Sequence, residues 1–270
     1  MQKTLIDRSV LTIAGSDSCG GSGIQADLNT FASFGVYGAS VVTAVAARNT
    51  VEISDVEPVS DRMIVSQVES VMEDLPICAI KIGALPSVAG IAVLGELLES
   101  LESRIPLVVD PVVIEPKGKE LGSETILEAL QNHLFPLATL ITPNLEEARI
   151  LTGRKIECMA DMEAAAGDLL KLGSEAVLLK GGKFGGSEIT DILLTRQGTE
   201  TFTHASFKGR FHGTGCALSS AVAAGLAKGT PLNEAVGTAV AYVQQCLEHS
   251  QSPIKGHAGL LVTAPETRSG

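Results

Sequence analysis

Tryptophan is absent from this sequence, and aromatic residues of every kind amount to 3%. A surface that stacks nucleic-acid bases in succession cannot be built from so few rings. Positive charge is scarce too: 20 Lys and Arg stand against 31 Asp and Glu, a net charge of −11. That is the wrong sign for a chain that tracks a phosphodiester backbone. Small anions are not excluded, because backbone amides and one or two lysines can bind phosphate on an acidic protein. The five cysteines (Cys19, Cys78, Cys158, Cys216 and Cys246) are odd in number and none pairs as C-x-x-C, so neither a disulfide framework nor a zinc site is suggested. No run approaches the roughly 18 apolar residues of a membrane span. The opening MQKTLIDRSVLTIAG has too short an apolar run for a secretory leader. These absences predict a soluble, cytoplasmic protein that binds neither nucleic acid nor membrane.

What is present is apolar and small. Hydrophobic residues make up 45% of the 270, with 28 glycines, enough for a large core with close helix-on-sheet packing. Strand-like and helix-like segments alternate along the chain. Strands are predicted at 10–14, 40–46, 79–82, 107–109, 139–141 and 176–179. Helices are predicted at 24–34, 61–74, 87–101, 124–134, from Asn144 onward, and at 161–172, 216–227 and 232–250. Residues 189–194 and 199–204, joined at Gln197-Gly198, read as an antiparallel hairpin. Apolar strands alternating with helices imply an α/β fold with a mostly parallel sheet covered on both faces. No linker or repeat interrupts it, so residues 1–270 are expected to form one domain. Such sheets bind ligands at the carboxyl ends of their strands.

The residues at those ends carry the chemistry. Gly15 to Gly23 (GSDSCGGSG) follows the first strand. It is not a P-loop, and no Gly-Lys-Ser or Gly-Lys-Thr occurs anywhere in the chain. Gly21 to Ala26 fits the dinucleotide fingerprint G-x-G-x-x-A, but the acidic residue expected about 20 positions on is missing from 43–49, which weakens an NAD(P)-binding reading. A ligand-free turn and a substrate lip both remain open there. Asp110 closes the apolar run at 107–109, where a carboxylate is costly unless it meets water, a cation or donors. Asn144 followed by Glu147 reads either as a helix cap or as a carboxylate that holds magnesium through water. Lys180-Gly181-Gly182 suits phosphate contact, and equally a solvated strand end.

His212-Gly213-Thr214-Gly215-Cys216 is the strongest signal. Glycines opening a helix gather unpaired N–H groups at its positive end, an anion hole suited to a phosphoryl group in flight. Cys216 in the first turn is expected to have a lowered thiol pKa, about 3.5–7.5 in reactive cases, and could act as a general base. The alternative is a small cysteine packed under a glycine turn.

Taken together, TIAGSDSCGGSGIQADLNTF, YGASVVTAVAARNT, KIGAL, VVDPVV, LITPNLEEA, VLLKGG and HGTGCALSSA resemble the hydroxymethylpyrimidine and hydroxymethylpyrimidine-phosphate kinases of the ribokinase-like superfamily. The resemblance runs from Val10 to about His257. It implies a three-layer α/β/α sandwich that moves the γ-phosphoryl of ATP, with Mg²⁺, onto a hydroxymethyl oxygen. It implies Cys216 as base and Gly213, Thr214 and Gly215 as anion hole. Asp110 and Glu147 would serve the metal, and Lys180, Asn144 and Thr214 the ATP phosphates. Gly15, Gly21, Asp27 and Arg48 would meet the substrate, with a flap at 115–121 offering Lys117 and Lys119. A homodimer is also implied. The chain departs from that pattern at Arg48, where a glutamine is usual, at Ala84, where methionine is common, and at Gly256-His257-Ala258-Gly259. The first two bear on the acceptor and leave a pyridoxal or pyridoxine kinase as the rival.

Overall fold

The computed structural model describes residues 6–112, 123–182, 184, 188–251 and 258–261. In chain order the strands are β1 (Ser9–Asp17), β2 (Tyr37–Arg48), β3 (Ile53–Pro58), β4 (Ile77–Ile82), β5 (Leu107–Val109), β6 (Leu140–Ile141), β7 (Ala176–Gly182), β8 (Glu188–Thr195), β9 (Gly198–Ala205), β10 (Arg210–His212) and β11 (Ala258–Leu260). The helices are α1 (Gly23–Ser33), α2 (Asp61–Asp74), α3 (Val88–Glu99), α4 (Ser123–His133), α5 (Leu145–Thr152), α6 (Met159–Leu170), α7 (Thr214–Ala227) and α8 (Leu232–Glu248).

Nine strands form one sheet in the order β3-β2-β1-β4-β5-β6-β7-β8-β9. From β2 through β7 every neighbour pairs in parallel, while β3, β8 and β9 are antiparallel. Helices α2 to α6 pack one face through Ile64, Ile91, Leu127, Ala148 and Met162. Helices α1, α7 and α8 pack the other through Phe31, Ala221 and Val236. The predicted three-layer α/β/α sandwich is therefore what the chain forms.

The apolar strands end one after another at one edge, and their order reverses across β1 and β4. A crevice opens at such a reversal. The hairpin at 189–194 and 199–204 is present as β8 and β9. Strand β3 was not foreseen: ISDVEP is polar and mostly exposed, so its alternation carries no apolar signal. The three-residue β10 and β11 were missed for want of length, yet β10 leads straight into α7. The flap at 115–121 and residues 256–257 lie outside the described residues.

Candidate active site

The first turn of α7 lies at the crevice floor, and backbone conformation decides how it gets there. Gly213 caps the helix at φ +82°, and a Cβ on it would lie 1.9 Å from the Gly21 carbonyl oxygen. Only glycine lets the β1–α1 turn and the β10–α7 turn touch here. Gly23, at φ +60°, is held as closely against the Gly15 carbonyl. Two helix N-termini thereby converge on one cavity of about 270 Å³.

Ten of the expected residues line that cavity: Gly15, Arg48, Asp110, Asn144, Glu147, Lys180, Gly213, Thr214, Gly215 and Cys216. Lys180 Nζ donates to Asp110 Oδ1 at 3.0 Å, and Thr142 Oγ1 donates to the same oxygen at 2.9 Å. Gly215 lies directly over this pair, since a Cβ there would stand 3.4 Å from both Asp110 Oδ2 and Lys180 Nζ. Burial opposes the charge on Asp110, but Lys180 and then Lys81 outweigh it and hold the carboxyl below its ordinary value. Burial would lower Lys180 in turn; Asp110 and Glu147 reverse this and raise it. Lys180 is thus a buried, paired cation, not a solvated strand end.

The helix-cap reading of Asn144 and Glu147 holds. Asn144 Oδ1 accepts from the Glu146 and Glu147 amides, and Glu147 Oε2 accepts from the Asn144 amide at 2.8 Å, a complete capping box. The same Glu147 faces the cavity. Burial, helped by repulsion from Asp110, pushes its carboxyl up to about 7, with Lys180 pulling the other way.

Three expectations need correction. Asp27 does not line the cavity: it is fully buried beneath it, where both oxygens accept from Lys81 Nζ at 2.9 and 2.8 Å. Thr12 and Ser220 hydroxyls donate to the same carboxylate at 2.6 and 2.7 Å, so a ligand finds no oxygen left. Gly21 is not part of the wall either; its carbonyl is taken up against Gly213. The Cys216 thiol is not lowered. Burial pushes it up to about 11, with Asp27 and Asp110 in the same direction and Lys81 and the Gly23 amide opposing.

Arg48 turns out to be a clasp. Its Nη1 donates to Ser22 Oγ at 2.8 Å, and its Nη2 meets His212 Nδ1 at 2.8 Å. Asp17 Oδ2 stands 3.7 Å away and itself accepts from the Ser22 amide and hydroxyl. The guanidinium joins the end of β2, the glycine-rich turn and the entry to α7. Lys81 was missed as a site residue, though it is a lone charge inside the apolar strand ICAIKI. Asp17, Ser22 and His212 lie within the glycine-rich motifs already singled out, but were not picked out one by one.

A second cavity, about 380 Å³, adjoins the first and shares Asn144, Lys180, Phe211, Thr214 and Gly215 with it. Ile189, Leu218, Val240, Val243 and Leu247 make its walls apolar. At its rim Gln244 Nε2 lies 3.0 Å from His204 Nδ1, and His204 Nε2 lies 3.1 Å from Asp191 Oδ2. Asp191 Oδ1 accepts from the Gly181 amide at 2.7 Å, which fixes the turn after Lys180. Sequence reading found none of this, because the walls come from β8, α7 and α8 and are ordinary aliphatic residues.

An α/β/α sandwich with two adjoining cavities joined at a glycine-opened helix fits a ribokinase-like phosphotransferase. Residues 17–260 match the family model described as phosphomethylpyrimidine kinase. The chain belongs to this family. It is 44% identical over 239 residues to a hydroxymethylpyrimidine/phosphomethylpyrimidine kinase of Rhizobium meliloti, covering 88% of this chain and 89% of that one. A crystal structure of a phosphomethylpyrimidine kinase from Clostridium difficile superposes with a TM-score of 0.76 at 40% identity, covering 88% of this chain and 99% of that one. The pyridoxal kinase of Staphylococcus aureus in complex with AMP-PCP and pyridoxal gives a TM-score of 0.87 at 33% identity, over 97% and 95% of the two chains.

Proposed function

We propose that the chain transfers the γ-phosphoryl group of ATP to 4-amino-5-hydroxymethyl-2-methylpyrimidine, to its monophosphate, or to both, as a cytoplasmic homodimeric enzyme of thiamine biosynthesis. The observation that carries this reading is the meeting of the two cavities at the first turn of α7. The apolar cavity suits a nucleobase, and the Cys216 cavity suits a small ring that bears the acceptor oxygen. Lys180, Asn144, Thr214 and Gly215 stand at the junction, where the phosphates would lie, with Gly213 on the side of the first cavity.

Asp110 and Glu147 fit magnesium through water and phosphate oxygens, not as a closed protein cage. Both carboxylates already hold protein donors, and among the described residues no group of three or more His, Cys, Asp or Glu could hold a metal ion. Bound there, the ion would neutralise phosphate charge. In this reading Cys216 takes the acceptor proton as oxygen bonds to phosphorus and the bond from phosphorus to ADP oxygen breaks. Its thiol rests protonated in the free protein, so the thiolate is the minor, reactive form.

Release of ADP with Mg-ATP, measured across the hydroxymethylpyrimidine, its monophosphate, pyridoxal and pyridoxine, tests this reading. Turnover of either pyrimidine supports it. Turnover of the pyridines alone transfers the same chemistry to the rival acceptor that Arg48 and Ala84 suggest, and release with none of the four ends the proposal.

A further inference from the structure

The ion pair between Lys81 and Asp27 has no part in the chemistry described so far. Both side chains are wholly buried. Burial alone would lower Lys81, but Asp27, Cys216 and Asp110 outweigh it and raise it, so the ammonium keeps its proton. A pair sealed this completely is seldom worth more to stability than apolar groups of the same volume. Its position is informative. Lys81 lines the cavity that Cys216 lines. Gly83 is pressed against the ammonium, since a Cβ there would lie 2.9 Å from Nζ. Two donors of Nζ go to Asp27, leaving one N–H of the ammonium uncommitted to it.

Asp27 is in turn tied to the helix that carries the thiol. Ser220 Oγ donates to Asp27 Oδ1, and Ser220 is four residues after Cys216, on the same face of α7. Thr12 on β1 donates to the other oxygen. The groups that act most strongly on Cys216 are Lys81 from β4, Asp27 and the Gly23 amide from α1, and Asp110 from the exit of β5. Lys81 is the cation of that set.

We infer that Lys81 is a positioning residue for the proposed base: clamped by Asp27, its fixed positive charge sets how readily Cys216 gives up its proton. Turning a half-buried thiol into a thiolate near two carboxylates needs a counter-charge that substrate binding cannot displace. The saturated Asp27 provides that permanence.

The test is the rate at which iodoacetamide labels Cys216 at pH 8, followed on its own peptide by mass spectrometry. In Lys81→Met the rate falls about tenfold or more, the loss given by one unit of thiol pKa. In Lys81→Arg it stays within about threefold of the parent. A parent-like rate in Lys81→Met overturns the inference, as does an equally slow rate in Lys81→Arg. If Lys81→Met does not fold, Lys81→Gln, which removes the charge but keeps a donor for Asp27, is held to the same expectation. Turnover supplies the second readout and rests on Cys216 being the base. Lys81→Met lowers kcat in the parent and lowers it no further in Cys216→Ala. Additive losses overturn the positioning role. Undiminished turnover in Cys216→Ala alone would sink the base reading while the labelling comparison stands.

Discussion

Two lysine–aspartate pairs lie under one site, alike in distance and different in access. Lys81–Asp27 is sealed, and every oxygen of its carboxylate has a donor from Lys81, Thr12 or Ser220. Lys180–Asp110 is open on one side. Lys180 retains 14% side-chain exposure, Glu147 presses from beside it, and both cavities reach it. The difference separates two duties of buried charge. A saturated pair cannot trade partners and acts as a fixed field. A pair that both cavities reach is the one the proposed phosphate and hydrated cation would meet.

The hardest way to break the contrast is to strip one partner from the sealed pair. Asp27→Leu leaves an unpaired buried ammonium and should cost about 3–5 kcal/mol of stability, read from urea denaturation of the free protein. Lys180→Met acts on the open pair. It should lower turnover by about 10²–10³, with a smaller change in the same denaturation curve. Equal stability losses from the two substitutions would erase the distinction drawn here.

Protons sharpen the comparison further. Glu147 titrates near 7 in the fold, above an unfolded glutamate, so its contribution to stability is present below about pH 4.5 and lost as pH rises through about 7. Binding of Mg-nucleotide favours the ionised carboxylate and runs the other way: affinity should rise with pH up to about 7 and then level. Calorimetry on Glu147→Gln should show that rise removed. The smallest effect is expected at the clasp. Arg48→Gln trades a charged tie for an amide with donor and acceptor faces, so pyrimidine turnover should be kept or improved, with stability changed by about 1 kcal/mol or less. A complete loss of turnover there would mean that Arg48 touches substrate.

Much of this was legible in the sequence because strand exits are legible. The apolar run at 107–109 ends on Asp110, and the one at 176–179 on Lys180, and a charge that closes a buried strand has few places to go. Helix α2 was predicted with its observed bounds, Asp61–Asp74, from apolar spacing. What failed was depth. Asp27 lies on the buried face of α1 beside Ile24 and Phe31, yet a carboxylate in a glycine-rich neighbourhood suggests a pocket wall. Its partner is 54 residues away, and nothing local announces it. The thiol of Cys216 misled for the same reason: helix position is written in the sequence, whereas desolvation is a property of the packed surroundings.

The contact between Gly21 and Gly213 also bears on how the molecule comes into being. All nine strands of the main sheet are complete by Ala205, but the helix that closes the site and shields β1, β4 and β5 on one face is made only afterwards. A nascent chain therefore has one face of its sheet covered by α1 alone until its last quarter emerges, and its two glycine turns meet only then. Lesions late in the gene should accordingly appear as aggregated protein, not as a slow enzyme.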